Sequence, residues 1–166
     1  MKPILLLAFV CLLCLPFAVV AQDNRSRTIQ TKTPPVSPIR ADAERVANQI
    51  KNLSRFIYLL GSISKDIETI DAAIQKKQAS KATIAQNQDT KTKLAASFAN
   101  WRIAMDDLEK NFKTKTYLQK YYSKVSGIGS LAAVAQDQAQ LGQYNQAGQT
   151  CLQIINKLTD ALLEMP

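Results

Sequence analysis

From Lys110 to Lys124 the chain reads KNFKTKTYLQKYYSK, with Lys110, Lys113, Lys115, Lys120 and Lys124, no acid, and Phe112, Tyr117, Tyr121 and Tyr122 interleaved. Lysine stems and tyrosine rings suit the boundary between water and a headgroup layer, with rings on the apolar side and ammonium groups among anions. Lys110, Lys113, Lys115, Tyr117, Lys120, Tyr121 and Lys124 are therefore the candidate contacts for an anionic surface. The competing reading is structural: the aromatics cover the end of a helical domain and the lysines face water.

A second set of residues suits a different chemistry. Phe98, Trp101 and Met105 lie in the run Leu94, Phe98, Trp101, Met105, Leu108, Phe112, whose alternating steps of four and three make a heptad seam. Such residues form a helical core, or line a small apolar ligand enclosed by the helices.

Catalytic chemistry has little to work with. The chain has no histidine, which removes the commonest general acid–base group at neutral pH and the commonest metal ligand. Asp106, Asp107 and Glu109, and Asp66 with Glu68, stand beside Lys110 and Lys65 and read as solvated helix faces. The five glycines, at 61, 127, 129, 142 and 148, form no phosphate loop. The expectation is a non-enzyme without a cofactor or resident metal.

The elements that position these residues are helices. Ser37-Pro38 is a helix start, with Ser able to cap free amides and Pro suited to the first helical position. From there Val46, Ile50, Leu53, Ile57, Leu60, Ile63, Ile67, Ile70 and Ile74 predict a helix of about 35 residues by their helical spacing. The two consecutive steps of three at Ile57, Leu60 and Ile63 predict a heptad slip, with a bend or close helix contact at Gly61. A turn and helix start follow over 78–88, then the seam helix, then a shorter helical stretch over 114–126. Gly127-Ile128-Gly129-Ser130 breaks the pattern, with Ser130 as the expected cap of a last helical region turned at Gly142.

Within that region, Leu141-Gly142-x-Tyr144-x-x-Ala147 resembles the middle of a tetratricopeptide repeat, where small and aromatic residues pack two helices at a turn. The likeness covers seven residues, the downstream spacing departs from the repeat, and no second copy follows. It implies a helical hairpin and no function. The fold class expected is all-α: an antiparallel bundle of about four helices over 37–166.

Two N-terminal segments set the address. Met1-Lys2-Pro3 precedes an uncharged apolar run from Ile4 to Ala21 that ends in small residues, the pattern of a cleaved signal peptide over 1–21. Residues 22–36 read as a disordered basic, proline-ended tail. Cleavage would leave 20 Lys and Arg against 13 Asp and Glu, no transmembrane segment, and Cys151 as a lone thiol with no internal disulfide to form. Cys151 is expected to be a small buried hydrophobe.

Together these features predict a secreted or periplasmic, non-enzymatic bundle that works as a binding or structural module. Its partner would be a protein or an envelope component, with an anionic surface as the specific alternative and nucleic acid disfavoured by the compartment.

Overall fold

The computed structural model describes residues 37–166; the expected leader and tail lie outside them. The described residues are all-helical, in the order α1 (Pro38–Gln75), α2 (Lys81–Thr114), a 3-10 helix (Thr116–Tyr121), the single turn α3 (Tyr122–Val125), α4 (Ile128–Gln140) and α5 (Tyr144–Glu164). No helix among them is long and apolar enough to cross a membrane.

The four long helices share one design. Each buries a stripe with steps of three, four or seven residues, the spacing by which helices pack at shallow angles. The stripe is Val46, Leu53, Leu60 and Ile67 in α1, Leu94, Phe98, Met105, Leu108 and Phe112 in α2, and Ile128, Ala132, Ala135 and Ala139 in α4. In α5 it is Tyr144, Ala147, Cys151, Ile154, Leu158 and Ala161. Burying one large apolar side chain contributes about 1.5–3 kcal/mol, so these stripes carry most of the stability.

The alanines of α4 leave no bulk between backbones, and α4 packs closely on both α2 and α5. In turn α5 lies along α1, which completes a ring in the order α1, α5, α4, α2. The α1–α2 side is the sparsest. There Phe56 of α1 meets Phe98 edge-on at 5.0 Å between ring centroids and tilts against Trp101 at 6.0 Å. Three large rings stand between these helices and keep their backbones apart. This is why Trp101, expected in the core, is only half-buried: it sits where the two helices part.

The heptad slip expected at Gly61 does not occur. Ser64 is buried at the next seam position after Leu60, and its hydroxyl donates to the Gly61 carbonyl at 3.1 Å. The seam runs straight through with a serine in it, and Ile63 packs alongside as a half-buried neighbour. Gly61 itself faces open space. The close contact lies opposite, where Leu60 rests against Gly148 of α5.

Capping follows the sequence at two starts and departs from it at a third. Ser37 and Ser80 each accept from the amide three residues on, Arg40 and Thr83. Ser130 does not cap α4: it lies exposed inside that helix, and Gly127 is the cap residue with φ 86°. The α4–α5 hairpin expected at Gly142 is present, with Gly142 at φ 75° in the turn.

Candidate functional site

One pole of the bundle is built from the start of α1, the end of α2 and the 3-10 helix. The 3-10 helix buries Leu118 and Tyr121, and with Val125 they close the core from below. Their burial fixes which side of this short segment faces out. Thr116, Tyr117 and Lys120 are left on the surface beside Pro38 and Ile39, and these five residues line an open groove of about 480 Å³.

The groove is tied together by a buried carboxylate. Asp42, only 5% exposed, accepts from Lys115 Nζ on both oxygens, at 2.9 and 3.0 Å, and from Tyr117 Oη at 2.8 Å. Arg45 lies 3.4 Å from the same carboxylate. Burial pushes the Asp42 carboxyl pKa up, but the hydrogen bonds from Lys115 and Tyr117 and the charges of Lys115 and Arg45 outweigh it. The net effect holds the carboxyl below its ordinary value, and Asp42 is ionised at neutral pH.

The structure sorts the sequence candidates into three groups. Tyr121 is in the core and unable to meet a surface, which corrects its place among the candidate contacts; its neighbours Leu118 and Val125 turn that side of the helix inward. Lys115 and Lys124 are already engaged, Lys115 by Asp42 and Lys124 by Glu164 at 2.7 Å. Lys110, Lys113 and Lys120 are exposed and form no ion pair among the described residues, and Tyr117 is 41% exposed. Lys120 Nζ stands 4.7 Å from the centre of the Tyr121 ring, a cation–π contact.

Phe98 and Met105 are fully buried, and Phe98 is packed against the edge of Phe56. Neither the groove at this pole nor the one at the opposite pole is lined by Phe98, Trp101 or Met105.

The opposite pole holds a polar patch that sequence reasoning missed. Asn87 and Lys91 continue the α2 seam backwards from Leu94 at heptad positions, and Asp71 continues that of α1. Asn87 Nδ2 donates to Asp71 at 2.7 Å, and Lys91 Nζ bridges both Asp71 oxygens at 2.8 Å. Asn87 is buried, and its Oδ1 has no hydrogen-bond partner. A groove lined by Asp71, Gln88, Lys91, Thr92, Leu141 and Tyr144, among others, opens beside them. Its charges cancel pairwise.

Glu109, read from sequence as part of a solvated acidic cluster, has a structural task. Its carboxylate accepts from the Gly127 and Gly129 amides at 2.8 and 2.9 Å and caps α4 from the neighbouring helix. A signal for this was present: Gly127-Ile128-Gly129 opens a helix without a capping side chain of its own, so an acceptor had to come from elsewhere.

Cys151 is buried, and that burial pushes its thiol pKa from 9.0 up to about 12. It is a core residue and a poor nucleophile at neutral pH. Compared with known proteins, the chain matches no family model, no curated protein and no solved structure.

Proposed function

We propose that this chain is an exported, non-enzymatic helical bundle, secreted or periplasmic, that acts as a binding module by placing its basic pole on an anionic component of the envelope. The leader-like residues 1–21 supply the compartment. The observation that carries the binding mode is the sorting of the lysines: Lys110, Lys113 and Lys120 are exposed and unpaired among the described residues, and Tyr117, though its hydroxyl is held by Asp42, leaves 41% of its surface exposed. The non-enzymatic part rests on residue types, since the chain has no histidine and its buried thiol is protonated at neutral pH.

Two measurements test this. Intact-mass analysis of the protein from the producing cell should give a chain starting at Gln22; a product retaining Met1 in the membrane would overturn the export reading. Co-sedimentation with phosphatidylglycerol–phosphatidylcholine vesicles should show binding that weakens steeply with salt, because exposed charges are screened over about 10 Å at 0.1 M. Retention of that binding after Lys110, Lys113 and Lys120 are all changed to Gln would remove the basic pole from consideration.

A further inference from the structure

We propose that the groove between the first turn of α1 and the 3-10 helix is the docking surface for an anionic phospholipid bilayer, with Pro38, Ile39 and the Tyr117 ring at the apolar boundary and Lys113 and Lys120 among the headgroups. The inference rests on the reading above and names the part of the pole that does the binding.

Two observations support it. The groove is lined by apolar Pro38 and Ile39 from α1 and by Thr116, Tyr117 and Lys120 from the 3-10 helix, so apolar, aromatic and cationic side chains share it. Lys113, exposed on the last turn of α2, is tied to the same 3-10 helix through its carbonyl, which accepts from Gln119 Nε2 at 3.4 Å. Apolar floor and cationic rim are the arrangement by which side chains sit at a membrane interface, rings at headgroup depth and ammonium groups outward.

Charge complementarity points the same way. Asp42, the carboxylate that holds the groove's Tyr117, is covered and already binds Lys115 and Arg45, so it offers an incoming anion little repulsion. The lining of the groove at the other pole has no unpaired lysine, because its one lysine, Lys91, is neutralised by Asp71. A free phosphate would use the lysines and leave the apolar wall idle; a bilayer uses both.

The geometry supplies its own control. A helix of 38 residues is about 57 Å long, so Lys76 and Lys77, just past the end of α1, lie at the far pole. Ile84 of α2 is also there and, like Tyr117, is 41% exposed. The experiment uses the full chain and vesicles of phosphatidylglycerol and phosphatidylcholine. It compares the pair Lys113→Gln, Lys120→Gln with the pair Lys76→Gln, Lys77→Gln, which removes the same charge. It also compares emission from Thr116→Trp, in the groove, with that from Ile84→Trp, each corrected for the parent's Trp101. Circular dichroism confirms equal helicity beforehand.

The expected result is a loss of partitioning of roughly tenfold or more for the groove pair, less than about threefold for the far pair, and a blue shift on vesicle addition at 116 only. Equal losses from both pairs, with no shift at 116, would overturn the groove as the docking surface and leave diffuse attraction to net charge. Absence of any binding to anionic vesicles would overturn the broader reading of the basic pole as well.

Discussion

Asp42 and Lys115 lie 73 residues apart in the chain, and their carboxylate and ammonium meet at 2.9 Å, 94% and 69% covered respectively on their side chains. The contact joins the second turn of α1 to the linker after α2, on the side of the bundle where these two helices otherwise touch least. The Tyr117 hydroxyl on the same carboxylate draws the start of the 3-10 helix into the joint. One covered charge thus shapes the pole on which the lysines are displayed.

Asp42→Ala should destabilise the fold by about 2–3 kcal/mol, since it strands Lys115 and the Tyr117 hydroxyl. Lys115 retains a route to water, so the cost stays below that of a fully buried broken pair. The pH dependence has a definite sign. A carboxyl whose folded pKa is depressed contributes stability above its unfolded value, and that stability is lost as pH falls through the folded value. Urea midpoints of parent and Asp42→Asn should therefore differ at neutral pH and converge below the ordinary carboxyl value of 3.8. A constant gap down to the lowest pH that keeps the fold would show that the ionised carboxylate is not what matters.

Glu109→Ala should loosen α4 selectively. It leaves the Gly127 and Gly129 amides without their acceptor, at about 1–3 kcal/mol for the pair. Hydrogen exchange should speed at the first turn of α4 well before it does in α2. Gly127→Ala should add a separate cost of about 1 kcal/mol or more, because a residue with a Cβ is strained at φ 86°. Unchanged exchange in α4 after Glu109→Ala would mean that water caps the helix equally well.

The long helices were legible in the sequence because apolar spacing is a local signal. Val46 to Ile67 and Leu94 to Phe112 announce their buried faces without help from the rest of the chain. Polar residues inside a seam were not legible. Ser64 was passed over in favour of a slip, and the buried Asn87, with its partners Lys91 and Asp71, drew no reading, because a pattern of apolar residues has no way to count a polar one as buried. The pole was half legible: its lysines and tyrosines stood out, but which of them were free depended on Asp42 and Glu164, partners distant in the chain. The half-burial of Trp101 had a similar cause. It depends on the spacing between two helices, which no single helix records.

Asn87→Leu should leave stability unchanged or raise it by about 1 kcal/mol. The substitution removes a buried oxygen that has no partner, and Asp71 keeps both its bonds to Lys91. A polar residue at one seam position commonly fixes register at some cost in stability. The variant should therefore melt at or above the parent temperature while its amide spectrum broadens near the α1–α2 turn. A loss of more than about 2 kcal/mol would show that Asn87 has a partner in solution, such as an ordered water at Oδ1.

Cys151 gives the opposite pH signature to Asp42. Its thiol is packed in the α5 stripe, where burial disfavours the thiolate and raises the pKa from 9.0 to about 12. A group with a raised folded pKa contributes stability that is complete below the unfolded value and is lost as pH rises toward the folded one. Between about pH 9 and 12 the unfolded chain ionises the thiol and the folded chain does not, so unfolding is increasingly favoured. Cys151→Ala removes the ionisable group and should flatten this alkaline slope, while costing about 1 kcal/mol at neutral pH for the lost packing. Modification of Cys151 by a thiol reagent at neutral pH should be slow in the native protein and speed up in urea in step with unfolding. Rapid modification without denaturant would place the thiol at the surface and contradict its position in the core.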